Sequence, residues 1–329
     1  MQTRMLGRTG LTVSSLGFGC GAVGGLMVRG APADQQRAVA RALSLGVNYF
    51  DTAPQYGDGA SETNLGRVLR AVGANPLVGT KIRILRADYG RLAEAIPAAL
   101  EASLQRLGRD RVDLYQLHNP IAPESGREAL GVRAVLDEVV PAFRRLQEQG
   151  KVRFLGITAV GDTAALLEVV GSGAFDTAQV PYNMLNPSAG GAVPAGYPAQ
   201  DYQDLIGRAQ AAGMGVIVIR VLAGGALSGS PARHPIAAAS VAPIASGSDY
   251  QADLARARRL APLVDEGHDL AEAALRFPLA NPGVGTVLIG MATPDEFERA
   301  AAAVSKGPLA PDAMRRLAAL QAGFAGEAR

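Results

Sequence analysis

Tryptophan is absent from this 329-residue chain, cysteine occurs once, histidine occurs three times, and aromatic residues make up only 5% of it. Each shortage excludes something. A single cysteine, Cys20, cannot form an intrachain disulfide, and it fits a reducing compartment. The three histidines, His118, His234 and His268, are too few and too scattered for the clustered ligands of a metal-dependent hydrolase, so no metal site is expected. Without Trp there is no aromatic wall of the kind many substrate pockets use, and the expected lining is aliphatic, with Val23 and Leu26 as candidates. Neither sign of charge dominates: 32 Lys and Arg face 30 Asp and Glu, a formal net charge of +2. That balance leaves no concentrated basic face for nucleic acid. Long apolar runs are missing as well. The most apolar stretch, 215–219, is far too short to span a bilayer and reads as a buried strand. The first ten residues, MQTRMLGRTG, carry no apolar signal-peptide core. The expectation is a cytoplasmic protein with neither nucleic acid nor membrane as partner.

What is present is a regular alternation. Short β-branched runs at 15–19, 47–50, 77–80, 112–116, 154–157, 177–180, 215–219 and 286–289 read as eight strands. Helical spacing lies between them, most clearly at Leu92, Ile96, Leu100, Leu104 and Leu107, which share one face. Pro97 is expected to bend that helix or mark an early turn, Asp34 to cap a helix over 35–45, and Gly46 to end it. Strands alternating with helices form parallel sheets through right-handed crossovers, and eight such units close a barrel. The fold class is therefore α/β, a single (β/α)8 TIM barrel over 1–329. Residues 3–6 and 11–14 flank Gly7-Arg8-Thr9-Gly10 as a β-hairpin that would plug the barrel floor. Residues 221–268 form a long insert after strand seven, with a charged helical stretch at 250–263, and such inserts usually overhang the catalytic mouth.

Gly19-Cys20-Gly21-Ala22-Val23-Gly24 satisfies the G-x-G-x-x-G fingerprint literally. In a dinucleotide-binding Rossmann unit the third glycine opens a helix whose N-terminus meets the pyrophosphate. Here Gly24 is followed by Gly25 and a loop through Pro32. The motif reads as a flexible glycine loop at the mouth of strand one.

Four residues stand at or just past the ends of consecutive strands: Asp51 and Tyr56 after strand two, Lys81 after strand three, His118 after strand four. In a barrel those ends converge on one mouth, where active sites are built. Singly, each has a bland reading: a helix cap, loop packing, a surface lysine, a satisfied histidine. Together they make a proton-transfer set. A tyrosine is a reluctant acid or base near neutrality, a neighbouring ammonium favours its phenolate, and an aspartate can hold that ammonium in place. A histidine can hydrogen-bond and orient a carbonyl oxygen.

The segments 46–53, Tyr56-Gly57, Ser61-Glu62, Leu65-Gly66, Thr80-Lys81, 113–118 and 150–157 resemble the aldo-keto reductases, and the similarity runs from Leu6-Gly7 to about Ala303. The resemblance implies an NAD(P)(H)-dependent oxidoreductase that reduces aldehydes and ketones or runs the reverse reaction. It makes Tyr56 the general acid/base, Lys81 and Asp51 its tuning residues and His118 the carbonyl-orienting residue. It implies NADP(H), with NAD(H) a close alternative, lying extended across the mouth. The implied contacts are Thr158 and Gln179 at the nicotinamide carboxamide, Ile219, Arg220, Leu222 and Gly224 after strand seven, and Gly290, Met291, Thr293 and Arg299 toward the adenosine end. The chain departs from the family at Thr158-Ala159, where a Ser-Asn pair is usual, and at Ile219, where an aromatic usually stacks on the nicotinamide. Glu296 stands where the family often has an arginine for the 2′-phosphate, with Asp295 and Glu298 beside it, so cofactor discrimination should be weak. The segments 156–158 and 289–291 are similar to aldose 1-dehydrogenases, which implies a small carbonyl or sugar substrate. A weakly catalytic, cofactor-sensing subunit is the alternative the family also contains.

Overall fold

The computed structural model describes residues 1–230, 232–243, 249–264 and 269–327; His268 lies outside them. The chain opens with β1 (Thr3–Met5) and β2 (Thr12–Ser14), paired antiparallel, with a 3-10 turn at Gly7–Thr9 between them. This is the expected hairpin. The barrel strands are β3 (Leu16–Gly19), β4 (Tyr49–Asp51), β5 (Leu77–Ile82) and β6 (Val112–Leu117). A short parallel pair follows, β7 (Ile121–Ala122) and β8 (Leu130–Gly131). The barrel resumes with β9 (Val152–Thr158), β10 (Thr177–Pro181), β11 (Gly215–Ile219) and β12 (Val284–Gly290). All neighbouring barrel strands are parallel, and β12 pairs with β3 to close the ring.

Helices cover the outside: α1 (Leu26–Arg29), α2 (Pro32–Ser44), α3 (Ala60–Ala71), α4 (Leu92–Leu107), α5 (Val132–Ala134) and α6 (Val140–Glu148) in the first half. The second half adds α7 (Thr163–Gly171), α8 (Leu205–Ala211), α9 (Tyr250–Arg259), α10 (Leu270–Arg276), α11 (Pro294–Ser305) and α12 (Pro311–Ala322). No helix among the described residues is long and apolar enough to cross a membrane.

Three local expectations need correction. Asp34 does not cap α2; the helix begins at Pro32 behind Ala31, and Asp34 pairs with Arg37 in its first turn. A proline at the first helical position is pre-organised for helix and moves the start three residues earlier. Of the two alternatives for Pro97, the early turn is not taken: α4, 16 residues long, runs on through it. Several strands also outrun their β-branched runs: Asp51, Lys81 and Thr158 are strand residues, not loop residues. Hydrogen bonding to two parallel neighbours carries the ladder into polar sequence that propensity alone would leave out.

Alternation decides what fills the barrel. Leu6, Leu11 and Val13 from the hairpin pack against Tyr49, Leu114, Ile217 and Leu288, the inward residues of four strands, and form a second core inside the ring. The hairpin is thus the floor plug. A side chain at Gly17 would meet Leu288 at 2.7 Å and Tyr49 at 3.1 Å, and one at Gly79 would meet the Tyr49 hydroxyl at 2.5 Å. Those two glycines leave the room in which the Tyr49 ring lies.

Candidate active site

The mouth side of the ring holds the polar layer. Asp51 ends β4, Lys81 lies on β5 and Gln116 on β6, and Lys81 and Gln116 are direct register partners. Lys81 is fully enclosed. Its Nζ forms an ion pair with Asp51 Oδ1 and donates to the Thr52 carbonyl at 2.9 Å and to Tyr56 Oη at 3.2 Å. His118 stands edge-on to the Tyr56 ring, with centroids 5.8 Å apart, and its Nδ1 is 3.3 Å from Gln55 Oε1. The four residues expected to act together are brought together.

Charge and burial act on them in opposite senses. Burial raises the proton affinity of Tyr56, the Lys81 ammonium lowers it and Asp51 raises it again; burial wins, and the phenol titrates above its ordinary value. Lys81 acts in the expected direction, moderating the burial effect without overcoming it. Burial alone would depress Lys81, but Asp51, Tyr56 and their hydrogen bonds carry it above the usual lysine value. His118 is pushed down to about 3, by burial first and then by Lys81 and Arg83. Near neutrality the site holds a neutral phenol, an ammonium and a neutral imidazole.

Thr158 ends β9 beside Gln179 of β10, its register partner. The Thr158 hydroxyl is buried without a hydrogen-bond partner among the described residues. Gln179 donates from Nε2 to Asp51 Oδ2 at 2.6 Å. After β11 the backbone turns left-handed at Arg220 (φ 59°) and Ala223 (φ 48°), then at Gly224 (φ 68°) and Gly225 (φ 109°). Two consecutive glycines give this turn an open backbone, while the strain at Arg220 and Ala223 is of the kind that collects at functional loops. Ile219, Arg220 and Leu222 are half-buried there. Arg220 extends away to the Ala242 carbonyl at 3.1 Å. An unpaired hydroxyl at the strand ends and a glycine turn without side chains to block close approach are what an extended nicotinamide dinucleotide needs, so these residues fit the group.

The insert bridges the mouth. Arg233 donates to the Gly224 carbonyl at 2.7 Å, Arg29 to the Ile236 carbonyl at 2.6 Å, and the Ala238 amide to the Val23 carbonyl at 2.9 Å. Leu26 does not line this opening; it is a core residue of α1, while Val23 is half-buried at the rim. The glycine fingerprint also has a structural explanation. A side chain at Gly24 would collide with the Met291 backbone, whose carbonyl accepts from the Leu26 amide at 3.0 Å. The motif serves close approach of two backbones. Met291 itself is core, whereas Gly290 is exposed and Thr293 half-buried.

Thr293 caps α11 by accepting from the Glu296 amide at 3.2 Å, and the Glu296 carboxylate reaches back to the Ala292 amide at 2.7 Å. It differs from a capping box in one respect: the carboxylate takes the amide one residue before the cap. Arg299 is exposed one turn further on, and Glu298 pairs with Arg41. Among the described residues no group of three or more His, Cys, Asp and Glu gathers as a metal-ligand set.

Residues 15–322 match the model of the Aldo/keto reductase family. The chain belongs to the aldo/keto reductase family. L-galactose dehydrogenase of Arabidopsis thaliana is 29% identical to it, covering 93% of this chain and 89% of that protein. Pyridoxal 4-dehydrogenase of Microbacterium luteolum is 25% identical over 91% of both. The holo form of aldo-keto reductase AKR11C1 from Bacillus halodurans superposes with a TM-score of 0.74 at 25% identity, covering 97% of this chain and 96% of that one. This aldo/keto reductase is therefore an NAD(P)-dependent oxidoreductase on a closed eight-stranded barrel.

The sequence reading missed three polar partners of the reductase site: Tyr49, Gln116 and Gln55. The first two were legible by period-two alternation, since Tyr49 precedes Asp51 by two residues and Gln116 precedes His118 by two. Gln55 lies on a loop, where no periodicity reports direction.

Proposed function

We propose that this chain moves hydride between a nicotinamide and the carbonyl or alcohol carbon of a small substrate, with Tyr56 transferring the proton at the oxygen. The carrying observation is the Lys81 ammonium, paired with Asp51 and 3.2 Å from Tyr56 Oη at the barrel mouth. The bound cofactor supplies the hydride. Thr158 and the free oxygen of the Gln179 amide would hold its carboxamide, Ile219 would pack on its ring, and Arg220, Leu222 and Gly224 would meet its phosphates. Gly290, Met291, Thr293 and Arg299 would border its adenosine end, Met291 through its backbone. In reduction the neutral Tyr56 phenol gives its proton to the carbonyl oxygen, which neutral His118 orients, and Lys81 stabilises the phenolate that forms. The reverse runs the same path with Tyr56 as base.

NAD(H) is the favoured form of the cofactor in this reading. The Glu296 carboxylate lies at the amino-terminal end of α11, accepting from the Ala292 amide just before the helix, and a 2′-phosphate would meet its like charge there. Oxidation is the favoured physiological direction, because two relatives matched over nearly their whole lengths, L-galactose dehydrogenase and pyridoxal 4-dehydrogenase, are both named for oxidation, and the first makes a sugar the favoured substrate class.

The test is a panel of aldoses, aldehydes and alcohols with both cofactors, run on the wild type and on Tyr56→Phe. The variant keeps the ring and its packing, so cofactor binding should stay near normal while turnover falls by about three orders of magnitude. A variant retaining more than about a tenth of wild-type turnover, with chemistry limiting, removes Tyr56 as the proton carrier.

A further inference from the structure

Asp51 has more partners than an ion pair needs. Oδ1 faces Lys81. Oδ2 accepts three further hydrogen bonds: from Tyr49 Oη at 3.1 Å, Gln116 Nε2 at 3.2 Å and Gln179 Nε2 at 2.6 Å. These donors come from β4, β6 and β10, so half the circumference of the ring converges on one oxygen.

Two features show that the convergence is built in. The Tyr49 hydroxyl reaches Asp51 only because Gly79 leaves its space open; a methyl there would sit 2.5 Å from that oxygen. Gln116 is fully enclosed and points its amide nitrogen at Asp51 while its Oε1 is left without a partner among the described residues. A core glutamine whose role was only to satisfy itself would not strand its acceptor. A carboxylate accepts and cannot donate, so the amide orientation follows from Asp51.

We propose that Tyr49, Gln116 and Gln179 are positioning residues, three donors that hold Oδ2 of Asp51 so that Oδ1 faces Lys81 and, through it, Tyr56. The proposal rests on the reading of Tyr56 as the proton-transferring group. Gln179 carries a second consequence. One of its N–H groups is committed to Asp51, and its oxygen remains for the nicotinamide carboxamide, so one side chain joins the cofactor site to the charge network behind the phenol. Loss of a donor leaves the Asp51 charge less compensated, and an uncompensated negative charge disfavours the phenolate. The groups that face Tyr56 are Asp51 and Tyr49 from β4, Lys81 from β5, His118 beyond β6 and Arg220 beyond β11. Gln116→Met and Gln179→Met alter none of them, and Tyr49→Phe removes a phenol that burial and Asp51 hold neutral, well above the ordinary tyrosine value.

The experiment compares wild type with Tyr49→Phe, Gln116→Met and Gln179→Met. It has two readouts: the pH profile of alcohol oxidation, and ultraviolet titration of tyrosinate in the cofactor-free protein, with Tyr56→Phe subtracted in each background. The expected result is that Tyr49→Phe and Gln116→Met move both curves to higher pH by about half a unit or more, with the KM for cofactor unchanged. Gln179→Met should move the curves and raise that KM as well. Folded variants with unmoved curves overturn the proposal, as does a fall in kcat without a shift, which would mark a merely structural role. If one variant does not fold, the others are read alone. A wild type inert with every substrate and both cofactors would overturn the proposed function instead, and the cofactor-free titration would still decide this proposal.

Discussion

At Tyr56 and His118 the same burial produces opposite chemical consequences. A phenol loses its proton to become charged, so enclosure raises it; an imidazole gains one, so enclosure lowers it, here to about 3 with Lys81 and Arg83 assisting. His118 should therefore stay neutral throughout the working range and leave no mark on the reductive pH profile. Carbonyl reduction is expected to be flat in kcat/KM from about pH 5 to about pH 8, falling only as the Tyr56 phenol begins to ionise. An acidic limb near the ordinary histidine value that disappears in His118→Gln would show a charged imidazole in the cycle. The neutral ring also has a tautomer to choose, and Gln55 is the side chain at its Nδ1.

Helix α11 shows how one element can both end a fold and select a ligand. Thr293 accepts from the Glu296 amide and the Glu296 carboxylate accepts from the Ala292 amide, which satisfies two amides and places a carboxylate where an anion would bind. Wild-type preference for NADPH over NADH is expected to lie well below about a hundredfold, since that ratio would need roughly 2.7 kcal/mol of phosphate recognition. Glu296→Ser should improve the NADP(H) efficiency relative to NAD(H) by about tenfold, a gain of about 1.4 kcal/mol, by freeing the Ala292 amide and removing the charge together. The measurement is kcat/KM for both reduced cofactors with one aldehyde. No change in the ratio would move phosphate selection elsewhere, and Arg220→Ala and Arg299→Ala would then be the variants to compare.

Across the whole molecule, closure makes the parts depend on one another. β12 pairs with β3, and the hairpin that precedes β3 supplies the floor of the same ring. Leu6 is fully buried there against residues of several strands. Leu6→Ala should destabilise the fold by about 2–4 kcal/mol, because the rigid ring cannot collapse into the cavity. Urea unfolding followed by circular dichroism and by tyrosine absorbance should give coincident curves shifted to lower midpoint in the variant. Curves that separate would mean that the hairpin and the barrel unfold independently.

Much of this was readable along the chain. Eight β-branched runs separated by helical spacing determined a closed parallel barrel, because alternation and connection handedness leave few other arrangements. Asp51, Tyr56, Lys81 and His118 were legible because strand ends in such a barrel share one mouth. Only the tertiary structure decided how those residues behave. The net rise of Tyr56 depends on the burial that surrounding strands and loops impose on it, which no linear spacing reports. The three donors on Asp51 come from β4, β6 and β10, as far apart as residues 49 and 179, and meet only because the ring closes. The glycines at 19 to 24 carried a nucleotide-binding pattern in sequence, yet Gly19 and Gly24 serve the close approach of the backbone at Ile289 and Met291. Local pattern encodes which way a side chain alternates; what it faces is a property of the closed ring.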